Sequence, residues 1–283
     1  MRKRTFSVPA RVAACLALLC TLAPAATAAG LASSWAEGHN SRARLIAGHV
    51  AGLGLAGVEL QMPDGWKTYW RNPGDAGGVP PLFDWSKSEN LAGAEVLYPA
   101  PKRFTDRSGD TVGYKGTVVF PVRLTPKDPA KPIDLRLTLD YGVCKDICIP
   151  AEALLSLAVE PQQADEAPPE LAAALDRVPA PEATRRPGDP LLKHAAIDRG
   201  GEKPRLVLEA EFPGGDEHGD IFVEAPPGLY LPLPKKIADD GAGHATFAVD
   251  LTDGIKPEDL KSQTLKATLI SSKGQSETAF SVD

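Results

Sequence analysis

The sequence is short of soft and metal-binding side chains: its 283 residues include 4 cysteines, 2 methionines and 5 histidines. His39, His49, His194, His218 and His244 are scattered without metal-ligand spacing, so they read as surface residues. No stretch approaches the roughly 20 apolar residues of a spanning helix, so no transmembrane segment is expected in the mature chain. Positive charge is also in deficit, with 31 basic against 37 acidic residues and a formal net charge of −6. That sign disfavours nucleic acid and anionic membranes as partners. There is no Gly-x-Ser-x-Gly elbow and no metalloprotease helix, and Asp216-Glu217-His218-Gly219-Asp220 reads as a charged turn. Hydrolase chemistry therefore has no support.

What is present begins with an export signal. Arg2, Lys3, Arg4 and Arg11 form a basic region, Val12 to Ala23 a short apolar run, and Ala26-Thr27-Ala28 a small-x-small cleavage site. Residues 1–28 are read as a signal peptide, which directs the chain to the periplasm. Val12-Ala13-Ala14-Cys15 has the small residues of a lipidation site, but using it would strand Arg11 in a stunted apolar region. Cleavage near Ala28 removes Cys15 and Cys20 and makes the net charge more negative by four. Only Cys144 and Cys148 remain, an even pair in an oxidising compartment, expected to bond to each other.

The rest of the chain exceeds the usual single-domain length, and two-residue alternation dominates it. Ile133, Leu135, Leu137, Leu139, Tyr141 and Val143 mark a long half-buried strand; Ala153, Leu155, Leu157 and Val159 mark its hairpin partner, with both cysteines at the turn. Val58, Leu60 and Met62 precede a Pro63-Asp64-Gly65 turn, Trp66, Thr68 and Trp70 share one face of the next strand, and Val118, Phe120 and Val122 mark another. Residues 161–190 are rich in proline, alanine and charge and read as a linker in which 169–177 alone suits a short helix. Beyond it, Leu206, Leu208, Ala210 and Phe212 alternate, as do Ile221 with Val223, Phe247 with Val249, and Leu265, Ala267 and Leu269. The expected fold is all-β, with a β-sandwich over 29–160 and a second smaller β-domain over 191–283.

Cys144-Lys145-Asp146-Ile147-Cys148 is the one constellation with obvious reactive chemistry. Two cysteines at one turn supply both an attacking and a resolving thiol. Closing so short a ring adds about 2 kcal/mol on the chain-entropy model, little for a domain this size, which tilts the pair toward function and leaves a plain staple open. Lys145 favours a thiolate and Asp146 opposes it, so their sum has no sign from sequence.

The run Leu139 to Pro150, with upstream Asp64-Gly65-Trp66-Lys67-Thr68-Tyr69-Trp70-Arg71-Asn72-Pro73-Gly74, resembles the N-terminal periplasmic domain of the DsbD thiol:disulfide interchange family, especially its ScsB-like branch. The resemblance covers residues 40–160 and fades over 190–283. It implies an immunoglobulin-like sandwich that takes electrons from a membrane-embedded reductase or thioredoxin-like donor and passes them to periplasmic substrate proteins, without a bound cofactor. If active, the chain would be a component of a protein-disulfide reductase. By position, Cys148 would form the mixed disulfide and Cys144 resolve it, although better-studied members space the two more widely. The family shields its disulfide with a loop; the matching segment, 104–116, offers Phe104, Asp106, Asp110 and Tyr114, and Tyr69, Tyr141, Lys145 and Asp146 lie near the pair. Full-length members also carry transmembrane helices and a thioredoxin-like domain, which this sequence lacks. Any cycle would then rely on a separate protein, or the chain has been repurposed.

Two further signals compete. Gly52-Leu53-Gly54-Leu55-Ala56-Gly57 matches a dinucleotide fingerprint, but a strand pattern and a turn follow it where a helix is required. A copper(I) site on the Cys144 and Cys148 thiolates suits soft ligands, yet Met62 is the one methionine left after cleavage and no third ligand is evident. The rival to redox exchange is thus a periplasmic copper-binding or scaffold module with a ligand or structural cysteine pair.

Overall fold

The computed structural model describes residues 31–50, 53–107, 109–161, 166–201, 203–216, 218–252 and 255–282. The export signal with Cys15 and Cys20 lies outside the described residues, as do Gly52 and Glu217. The first half runs through β1 (Ala36–Gly38), β2 (Ser41–Val50), β3 (Leu53–Gln61), β4 (Lys67–Tyr69), β5 (Leu82–Asp84), β6 (Leu91–Val96), β7 (Lys102–Asp106), β8 (Gly109–Lys115), β9 (Thr117–Pro126), β10 (Ile133–Cys144) and β11 (Cys148–Val159). One sheet has the order β1-β2-β3-β9-β6; the other has β11-β10-β4-β8-β7, with β5 also paired to β10.

The alternation in the sequence decides which side chains meet between these sheets. Ile133, Leu135, Leu137, Leu139, Tyr141 and Val143 of β10 are buried against Leu45, Val58, Leu60, Phe120 and Val122 of the facing sheet in one core. Each such aliphatic side chain contributes about 1.5–3 kcal/mol on burial, so this core outweighs a short disulfide ring many times over. The described part of the glycine-rich run enters β3, where Gly57 pairs with Ile46 and Pro121. It is sheet interior rather than a phosphate loop.

The second half contains α1 (Pro169–Asp176), β12 (Ala180–Pro181), β13 (Leu191–Asp198), β14 (Arg205–Glu211), β15 (Asp220–Glu224), β16 (Lys235–Asp239), β17 (His244–Asp250), α2 (Pro257–Leu260), β18 (Leu265–Ile270) and β19 (Gln275–Phe280). Two four-stranded sheets, β12-β19-β18-β15 and β13-β14-β17-β16, enclose a separate core around Leu208, Phe247 and Leu269. The fold is therefore an immunoglobulin-like β-sandwich followed by a second, smaller β-domain.

The segment between them is anchored at both ends. Leu171 and Ala174, three apart on one face of α1, pack on Ile46, Leu55 and Val119 of the first sandwich. Ala180 and Pro181 pair in parallel with Ser276 and Glu277 of the second.

The sandwiches also meet directly. Phe222 of β15 is buried in the first core, 5.6 Å from the ring of Trp70. Arg71 grips Glu224 at 2.7 Å and also bonds Glu277, and Arg103 reaches Asp220 at 2.9 Å and the Pro234 carbonyl. Burial opposes the charge on Arg71, but the two carboxylates more than offset it and hold the guanidinium firmly protonated.

Candidate functional site

The β10–β11 register runs without a bulge from Ile133↔Val159 to Cys144↔Cys148, which delivers the cysteines opposite each other as the last pair before the turn. They form a disulfide with Cα atoms 4.1 Å apart. Cys144 also pairs with Lys67 of β4 on its other side. It is 1% exposed, whereas Cys148 opens to solvent. The turn residues Lys145, Asp146 and Ile147 are exposed, Ile147 by 68%.

Alternation sorts the neighbours by face. Register places Lys67 opposite Lys115 and Tyr69 opposite Gly113, and Lys102, Phe104 and Asp106 opposite Gly113, Thr111 and Gly109. These residues therefore share the outer face of the sheet with Cys144. The Tyr69 hydroxyl lies 2.9 Å from both sulfurs. A disulfide sulfur carries no proton, so the phenol donates. Burial, reinforced by the Asp106 carboxylate, pushes the Tyr69 phenol up and keeps it a donor at neutral pH.

Two glycines make room for that ring: a Cβ on Gly78 would stand 2.2 Å from Tyr69 Cε1 and one on Gly142 would stand 3.4 Å from Tyr69 Cε2. Gly113 lets the strand backbone approach, since a Cβ there would stand 2.0 Å from the Thr68 carbonyl. Beside the ring, buried Lys67 donates to Asp106 at 3.1 Å and to Thr111 at 2.7 Å.

The segment 104–116 expected to cover the sulfurs is the β7–β8 hairpin, and its candidates separate. Asp106 binds Lys67 and acts on Tyr69; the Phe104 ring lies 5.9 Å from the Lys67 ammonium and 4.5 Å from that of Lys115. Asp110 and Tyr114 correct the expectation. Asp110 takes hydrogen bonds from Thr105 and Arg103, and Tyr114 is buried and donates to the Pro99 carbonyl at 2.8 Å. Both sit on alternating positions turned away from the disulfide, because Thr68, not Tyr69, is the partner of Tyr114. Tyr141 likewise points into the core, where its hydroxyl meets Ser41 at 2.8 Å. Lys145 lies against Gly65 at the turn, and Asp146 stands in solvent. Sequence reasoning missed the Gly78 and Gly142 cradle; Gly77-Gly78 and the Gly142 two residues before Cys144 were its available signals.

Among the described residues, no three His, Cys, Asp or Glu side chains gather to hold a metal ion, and Met62 lies in the first core. Among them, too, no helix is long and apolar enough to cross a membrane. The assembled chemistry is a disulfide with one open sulfur, one buried sulfur and a phenol donating to both.

Comparison with known proteins places this geometry. No curated protein matches the chain. The N-terminal periplasmic domain of ScsB from Proteus mirabilis superposes with a TM-score of 0.68 at 23% identity, covering 89% of this chain and 98% of that one, and so shares its fold. The model of the family described as thiol:disulfide interchange protein DsbD, N-terminal, matches residues 49–160, the stretch that holds both cysteines and Tyr69. That stretch is similar to the DsbD N-terminal family, and the chain shares the fold of the ScsB periplasmic domain.

Proposed function

We propose that the chain works in the periplasm as a thiol-disulfide exchange protein, taking electrons from a thioredoxin-like or membrane-embedded reductase and passing them to periplasmic substrate proteins. The observation that carries this reading is the unequal exposure of Cys144 and Cys148, which supports giving them different roles. A donor thiolate attacks Cys148 in line; the Cys148–Cys144 bond breaks and Cys144 leaves as a thiolate beside the Tyr69 hydroxyl. The donor's second thiol then attacks the mixed disulfide, releasing Cys148. Two electrons and two protons have passed from the donor dithiol to this chain, and the donor leaves as a disulfide. In the forward half, the Cys148 thiolate attacks a substrate disulfide and Cys144 resolves the adduct.

Tyr69 supports the leaving step, because a donor aimed at the departing sulfur stabilises its charge in a site closed to water. No cofactor enters the reaction. The test is equilibration of the protein with a glutathione or thioredoxin couple, followed by thiol alkylation of Cys144 and Cys148. A midpoint above about −300 mV is expected; one far below it marks a structural bond and refutes the proposal.

A further inference from the structure

We infer that the second sandwich holds Tyr69 on the disulfide through a strap, residues 74–79, whose anchor is Asp75 bound to Tyr230 and Leu233. The inference rests on the exchange reading above and assigns Asp75 and Tyr230 as positioning residues for that site.

The strap is fixed at its start by the second sandwich. Asp75 Oδ1 accepts from the Tyr230 hydroxyl at 2.8 Å and from the Leu233 backbone N–H at 2.8 Å. Gly74, with φ of +92°, lies so close that a Cβ there would stand 3.1 Å from Leu233 Cδ1 and 2.8 Å from the Asp110 carbonyl. Burial, reinforced by Asp75, pushes the Tyr230 phenol up, so it donates at neutral pH.

The start is also tied to the first sandwich, where the Ala76 N–H donates to the Asp110 carbonyl at 3.1 Å, and the Gly77 N–H closes back on Gly74 at 3.0 Å. The other end is fixed beside the cysteines, where the Val79 carbonyl accepts from Gly142, two residues before Cys144, at 3.1 Å. Between these ends Gly78 lies directly on the Tyr69 ring. The Tyr69 backbone is set by β4, but its ring needs an outer wall to keep the hydroxyl on the sulfurs, and this strap is that wall. Releasing Asp75 leaves that end on the Ala76–Asp110 and Val112–Pro73 bonds alone, loosens the wall beside the ring, and draws the donor away from the leaving thiolate.

The experiment measures single-turnover reduction of the oxidised full chain by reduced thioredoxin, for wild type, Asp75→Ala, Asp75→Asn, Tyr230→Phe, Tyr69→Phe and the Asp75→Ala/Tyr69→Phe double variant. Asp75→Ala is expected to slow reduction roughly three- to tenfold, the worth of the one Tyr69 hydrogen bond to the departing sulfur. Tyr230→Phe, which removes one of the two bonds, should slow it less, and Asp75→Asn, which keeps the acceptor oxygen, should restore it. In the Tyr69→Phe background Asp75→Ala should add nothing, because both act through the same phenol. A rate unchanged or raised by Asp75→Ala, or an equal slowing in the Tyr69→Phe background, overturns the strap while exchange itself stands. A wild-type disulfide that thioredoxin does not reduce defeats the exchange reading and the strap together.

Discussion

In the first sandwich the β10–β11 hairpin closes on two cysteines; in the second, β16–β17 closes on Asp240, Gly241, Ala242 and Gly243. The second turn consumes its polar groups internally: Asp240 accepts from the backbone of Ala242 and His244, and Gly241 and Gly243 take positive φ to complete the bend. The first turn leaves a sulfur facing solvent. Both are antiparallel pairs closing on a short turn, although β10–β11 alternates buried and exposed residues without a bulge while β16 buries none and shifts register at Lys236/Ala238. A hairpin alone therefore does not mark which sandwich carries the cysteine pair. The difference lies in what the turn carries and what the neighbouring strand aims at it.

The contact between the sandwiches is where this comparison breaks most easily. Phe222 belongs to a strand of the second sandwich but is buried in the core of the first. Phe222→Ala should cost about 3–5 kcal/mol and split urea unfolding into two transitions. A single transition at the wild-type midpoint would show that Phe222 does not couple the two halves.

Arg71→Met ranks next. It leaves Glu224 and Glu277 facing without their shared cation and should cost about 2–3 kcal/mol. Burial works to raise the Glu277 carboxyl, but Arg71 and Lys266 prevail and hold it below its ordinary value of 4.5. A carboxyl depressed on folding adds stability above that ordinary value and loses it as pH falls through the folded one. Wild type should therefore lose this stability on acidification below about pH 4.5, whereas Arg71→Met should show a flatter profile in denaturation series between pH 7 and pH 3. Parallel profiles would remove Arg71 from the linkage.

Reduction of the disulfide should have the smallest effect, about 2 kcal/mol, with circular dichroism unchanged. Loss of the sandwich on reduction would make the bond a staple and erase the contrast between the two turns.

The alternation of β10, β11, β14 and β18 was readable because each strand has one buried face, and that same alternation placed the cysteines at a turn. Tyr69 was readable as facing away from Trp66 and Trp70. The shield was read less well, since position along 104–116 was taken without parity: Phe104 and Asp106 fall on the outer face, Asp110 and Tyr114 on the inner. The contacts of Phe222, Arg71 and Asp75 had no local signal. Their partners lie more than a hundred residues away, and neither strand period nor turn chemistry encodes which edges of two sandwiches will meet.

The division of labour between the sulfurs is tested most directly by trapping. Cys144→Ser and Cys148→Ser chains are mixed with an oxidised thioredoxin-like protein, and adducts are resolved by electrophoresis without reductant. Cys144→Ser should accumulate the mixed disulfide through solvent-facing Cys148, while Cys148→Ser, whose remaining Cys144 is 1% exposed, should trap little. Equal adducts, the reverse order, or none from either chain would contradict the assignment.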